Sequence, residues 1–265
     1  MQGQRGQLGR AIAFFDSTAK VLVAVGGLIA AAAAIWAGIA HFTSAGAQSA
    51  VAYSPAAYAS QIDDHFTTDD LSSYALVRSV ITTWARFGEV APTWSVGGGQ
   101  ASATAAQPWF GILISSAAPT TPQATAVVDV KALDSGATNH NSGVFVGLVK
   151  DSSDYIMVWY NSYHHWSGED LVLNGVLQPL GFQVACCADV ILQPGDRFAF
   201  TLDSNTVTSY YQANGSGPWT ELESTSVAPL LDLTNPATLT EYHFAFGLAG
   251  DSGAMAVSRF FAGSS

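Results

Sequence analysis

The sequence predicts an all-β fold, an antiparallel two-sheet jelly-roll sandwich, preceded by one N-terminal transmembrane helix. Three observations carry this reading. From residue 62 onward, apolar and polar residues alternate in short runs bounded by Gly, Asn, Asp and Pro, the period of strands with one buried face. Charged residues are only 11% of the 265, against roughly a quarter in an average soluble domain, and Gly, Ser, Thr and Ala are abundant. Ahead of all this, "KVLVAVGGLIAAAAAIWAGIAHF" (Lys20 to Phe42) contains twenty uncharged, mostly apolar residues from Val21 to Ala40. As a helix that run rises about 30 Å, the thickness of a bilayer core.

Residues 1–19 read as a cytoplasmic or interfacial segment, with Leu8, Ile12 and Phe15 at helical spacing on a short surface helix. Residues 20–42 are the transmembrane helix. Arg5, Arg10 and Lys20 precede the run and no basic residue closely follows it. By the positive-inside rule, the N-terminus is cytoplasmic and the C-terminal domain periplasmic or extracellular. A cleaved signal is the rival, because "SAGAQSA" offers small residues at Ala45 and Ala47. A secretory h-region is shorter and its basic flank briefer than here, which favours an uncleaved anchor. Within the span, Gly27, Ala31, Ala34 and Gly38 lie on one helical face at spacings of four, three and four. Small residues let a second helix approach closely, so this stripe is the candidate helix-packing surface for other transmembrane subunits. An Ala-rich anchor without a partner is the plainer account of the same residues.

Residues 43–61 are small, polar and uncharged, and read as a linker. Residues 62–265 form the exported sandwich. Its predicted strands are 93–98, 109–115, 126–133, 143–150, 155–161, 170–174, 182–192, 197–203, 206–212, 219–224, 242–249 and 256–263, with a hairpin at "DSN". Absence of helical periods between them implies sheet packed on sheet. Six basic and nineteen acidic residues follow Phe42, a net charge of −13 that repels phosphates, so no nucleic-acid partner is expected. The two cysteines, Cys186 and Cys187, are adjacent and point to opposite faces of a strand, which suits two small apolar residues better than a disulfide.

The order "DDHFTTDDLSSY", "TWSVGGGQASA", "ATAVVDVKAL", "SGVFVGLVKDSSDYIMVWYN", "LQPGDRFAFTLDSNTVTSYYQANGSGPWTELES" and a C-terminal strand resembles the concanavalin A-like (laminin-G-like, lectin/glucanase) β-sandwich superfamily. The resemblance spans about residues 62 to 265 and implies a concanavalin A-like jelly roll. The glucanases of that superfamily carry carboxylates at alternate positions of one strand, in an E-x-D-x-x-E pattern. This chain has none: Asp129 and Asp134 are five apart, and Glu221 and Glu223 alternate without a third member. There is no G-x-S-x-G, and "VGGGQ" is not followed by GK[ST]. The chain is therefore read as non-catalytic.

The aromatic cluster "WYNSYHHWSGED" supplies the candidate ligand- or partner-binding residues Tyr160, Tyr163, His164, His165 and Trp166, because exposed rings at a strand end can stack on a sugar or a protein surface. Core packing is the competing account of those rings. Adjacent histidines diverge on an extended chain and make a poor metal pair. Domains with this resemblance often carry calcium, for which Asp63, Asp64, Asp69, Asp70 and Asp251 offer hard oxygen ligands. A structural calcium thus stays open, and no other cofactor is expected. Two functions follow: an accessory or structural subunit of a larger membrane complex, with the sandwich making protein contacts, or a membrane-tethered carbohydrate-binding or adhesion module.

Overall fold

Runs of β-branched and aromatic residues at period two, separated by Gly, Asn and Asp turns, form fifteen strands in the described residues of the computed structural model. Those residues are 53–77, 91–105, 109–134, 142–162, 165–178, 180, 191–228, 230–251 and 253–265. The strands are β1 (Ala59–Asp64), β2 (Tyr74–Val77), β3 (Thr93–Gly97), β4 (Gln100–Thr104), β5 (Trp109–Ser115), β6 (Gln123–Ala132), β7 (Gly143–Val149) and β8 (Tyr155–Asn161). They continue with β9 (Trp166–Leu173), β10 (Val176–Gln178), β11 (Arg197–Asp203), β12 (Thr206–Gln212), β13 (Thr220–Ser226), β14 (His243–Gly250) and β15 (Met255–Ser264).

Two antiparallel sheets result. The eight-stranded sheet runs β13-β12-β11-β6-β15-β4-β3, with β1 also paired to β15, and the seven-stranded sheet runs β10-β9-β8-β7-β14-β5-β2. Successive strands lie in different sheets at β1/β2, β2/β3, β4/β5, β5/β6, β6/β7, β10/β11, β13/β14 and β14/β15, the repeated crossing of a jelly roll. Val128, Phe198, Phe200 and Phe260 from one sheet meet Val146, Ile156, Val158 and Phe246 from the other in the main core. The opposite face of the seven-stranded sheet is also buried, with Phe145, Tyr155, Met157, Trp159 and Val172 on it. Strands covered on both faces read as continuous apolar runs, which is why "GVFVGLV" and "YIMVWYN" lack strict alternation.

The sequence boundaries 109–115, 155–161, 197–203 and 206–212 match β5, β8, β11 and β12 at both ends. Four short strands, β1, β2, β4 and β10, went unread because their side chains are small, polar or few. The folded unit runs Ala52–Ser265, so its start precedes Ile62 and the last residues of the expected linker belong to it. The expected membrane span at 20–42, with Gly27, Ala31, Ala34 and Gly38, lies outside the described residues, as do Cys186 and Cys187. Among the described residues no helix is long and apolar enough to cross a membrane.

Candidate functional site

The register of four neighbouring strands lays a polar row across the outer face of the eight-stranded sheet. Arg259 on β15 stands opposite Asp129 on β6, Asp129 opposite Arg197 on β11, and Arg197 opposite Gln212 on β12. Residues directly opposite share a face, with Cβ atoms about 5 Å apart, so the four form a ladder. Arg197 Nε lies 2.9 Å from Asp129 Oδ1, and Arg197 Nη1 donates to Gln212 Oε1 at 3.4 Å. From the other side, Arg259 Nε and Nη2 donate to the two oxygens of Asp63 on β1 at 2.6 and 2.9 Å. That two-pronged pair fixes the guanidinium plane, and the hydrogen bonds from Arg259 hold the Asp63 carboxyl below the usual carboxylate range.

Two residues along each strand, an apolar row runs parallel to it: Phe261, Val127, Ala199 and Tyr210. Arg259 spans the two rows, its guanidinium carbon 5.5 Å from the Phe261 ring centroid. The Tyr210 ring stacks on Tyr53 at 4.4 Å, and Tyr53 meets Trp219 edge-on at 4.9 Å. A hydrogen bond of 2.5 Å between Tyr53 Oη and Thr125 Oγ1 anchors this cluster. Burial, with Glu221 nearby, pushes the Tyr210 hydroxyl up to about 12. The one-turn 3-10 helix Pro55–Ala57, followed by Tyr58, walls the other side.

Over part of these two rows lies an open cleft of about 340 Å³, with Val127 and Phe261 on its floor and Asp129, Arg197, Arg259, Tyr58, Gln212 and Trp219 around it. Its two arginines are balanced by Asp63 and Asp129, so the cleft carries fixed donors and acceptors without net charge. Such a surface complements a neutral ligand that presents hydroxyls along one edge and C–H groups on a face.

A second polar group lies between the sheets, where β9 covers β12 and β13. Burial, followed by the like charges of Glu223 and Glu221, pushes the Glu169 carboxyl up to about 8, with a neighbouring Thr225 hydroxyl offsetting part of the rise. Burial alone raises Glu223 to about 7. A bulge sets Glu221 opposite Tyr210 on the outer face, so Glu169 is brought by sheet packing, rather than by a motif, to Glu223 alone. Glu169 is only 3% exposed, which closes it to a polymeric substrate.

The aromatic cluster divides. Trp159 is buried on the outer face of the seven-stranded sheet, where its Nε1 donates to Asp170 Oδ1 at 3.2 Å. Tyr160 corrects the expectation of a surface ring: it is 1% exposed, packs edge-on to Phe198, and accepts a hydrogen bond from the Leu192 amide. His165 sits in the β8–β9 turn with φ of 56° and its Nδ1 3.5 Å from Tyr160 Oη. Trp166 at the start of β9 is 42% exposed. Tyr163 and His164 lie outside the described residues.

The candidate calcium ligands do not converge either. Asp63 holds Arg259, and Asp64 accepts from the Phe66 amide and the Tyr74 hydroxyl. Asp70 accepts from the Ser72 amide and hydroxyl. The Asp69 carboxylate fills the space beside Gly97, and Asp251 donates its amide to Asp134. Among the described residues no three His, Cys, Asp or Glu side chains are placed to hold one metal ion.

No family model and no curated protein matches the chain. Solved structures do resemble it. The calcium-bound exoplasmic/lumenal domain of VIP36 is 11% identical, with 71% of this chain and 90% of that one covered at a TM-score of 0.49. The carbohydrate-binding module CBM66 of Bacillus subtilis is 11% identical over 65% and 92%, at 0.42. The xyloglucan-locus protein GH43B of Bacteroides ovatus is 12% identical over 77% of this chain and 39% of its own, at 0.48. All three likenesses lie below 25% identity and a TM-score of 0.5, so the site stands on this chain's own geometry.

Proposed function

We propose that this chain is a membrane-tethered binding module whose outer-sheet cleft takes a saccharide without cleaving it. The observation that carries the proposal is the pair of rows: Arg259 held by Asp63, and Asp129, Arg197 and Gln212 held by one another, beside Phe261, Val127, Ala199 and Tyr210. Side chains already locked by ion pairs lose little freedom on binding, and pairs of fixed donors and acceptors match vicinal hydroxyls. Non-catalytic action is supported by the carboxylates themselves. Asp129 and Asp63 are each paired with an arginine, and the high-pKa pair Glu169 and Glu223 sits between the sheets. The tether is the Lys20–Phe42 run, with the N-terminus cytoplasmic and the sandwich periplasmic or extracellular.

The test is a glycan array probed with the full chain in mild detergent. A bound saccharide is expected, with affinity lowered at least tenfold in Trp219→Ala and in Arg197→Ala, while thermal unfolding of both variants stays near that of the parent. Binding that survives both substitutions contradicts the cleft as the site.

The small-residue stripe of Gly27, Ala31, Ala34 and Gly38 favours a second reading, an accessory subunit of a larger membrane complex. On that reading a stable set of membrane proteins co-purifies with the chain and is lost in Gly27→Leu/Gly38→Leu. A chain that purifies alone, unaffected by the double substitution, leaves the helix as an anchor only.

A further inference from the structure

We propose that the mouth of the sandwich between β9 and β13 is a binding site for a hard divalent cation of calcium's chemistry, held by Glu169 and Glu223 with the hydroxyls of Ser167 and Ser209. Ser167 and Glu169 are two apart on β9 and therefore share a face, the one that Leu171 carries into the core. Ser209 on β12 is the direct partner of Glu223 on β13, so these two also share a face. It is the inner face, to which Val207 on the same strand belongs. With β9 packed over β12 and β13, the four side chains all face the interior between the sheets.

That space is left chemically incomplete by the protein. Ser167 is 1% exposed and Ser209 fully buried, and neither hydroxyl has a hydrogen-bond partner. Neither carboxyl oxygen of Glu169 has a partner of proper geometry, although Thr225 stands close by. The charges that act on Glu169 are those of Glu223 and Glu221, both of its own sign. Buried polar atoms are paired in nearly all native structures, and a buried carboxylate is costly without a positive partner. Two carboxylates and two hydroxyls are an all-oxygen set, which selects calcium-like ions over the softer transition metals. Glu223 is half-buried on β13, the edge strand of its sheet, giving an ion a route in. None of the four is among the aspartates that the sequence offered for calcium.

The test is thermal unfolding of the full chain at pH 8, first in chelator and then with calcium chloride. At about a hundredfold excess over the dissociation constant, the midpoint is expected to rise by roughly 5–10 °C. Glu169→Gln and Glu223→Gln, which keep shape and remove charge, are expected to fold in chelator and to lose most of the calcium-dependent rise. A midpoint that does not move with calcium in the parent chain overturns the proposal. So does a rise of equal size in both variants, which places the ion elsewhere.

Discussion

Gly147 is the position where one added methyl group has the clearest cost. A Cβ there meets the backbone of β8 at the Ile156 carbonyl oxygen and the Met157 Cα, and a strand cannot swing aside as a side chain can. Gly147→Ala should therefore destabilise the sandwich by about 1–3 kcal/mol, measured by chemical denaturation. Asp63 and Arg259 make the contrasting case. Their pair is partly exposed, so it adds little to stability but orients a guanidinium in the cleft. Because the Asp63 pKa is lowered, its small contribution is present at neutral pH and is lost as pH falls through the carboxylate range. Single residues were legible in the sequence only where their meaning is local. The mutual alignment of Asp129, Arg197 and Arg259 depends on pairing of β6 with strands whose paired residues lie 68 and 130 positions further along the chain, and no local pattern encodes it. Charged residues at the outward positions of "VVDV", "DRFAF" and "SRFF" were the available signal.

At the scale of elements, β14 is the strand most exposed to disruption, because it lies within its sheet between β5 and β7 and carries Phe246. That ring is fully buried and lies 4.9 Å from Phe260, 5.8 Å from Phe66, 6.0 Å from Trp94 and 6.1 Å from Tyr74. It therefore ties β14 to β2, to β3 and β15 of the facing sheet, and to the segment after β1. Phe246→Ala should cost about 3–5 kcal/mol, read from denaturant midpoints at unchanged slope. The long strands were legible because two buried faces or strict alternation leave a clear hydrophobic period. β1 and β4 were not, since "ASQIDD" and "QASAT" gain their strand structure from pairing with β15 rather than from propensity. Glu169 was hidden for a related reason. On β9 it looks like a solvent-facing residue, and only the facing sheet turns it inward.

For the whole molecule, the raised carboxyls set the pH response of the cation-free chain. Glu169 and Glu223 bind protons more tightly folded than unfolded, so their contribution is complete below about pH 4.5 and is lost as pH rises through about 7 to 8. Thermal midpoints in chelator should accordingly fall between pH 5.5 and pH 8.5, and Glu169→Gln should flatten that decline. The same architecture leaves two faces with different roles: the outer face of the seven-stranded sheet is buried, whereas that of the eight-stranded sheet offers an open cleft with fixed polar groups. The most direct measurement of the account is hydrogen–deuterium exchange of the full chain with and without a saturating saccharide from the array. Protection is predicted at residues 54–58 and around Trp219, which border the cleft. Protection centred instead on residues 159–173, with the cleft unchanged, would contradict it.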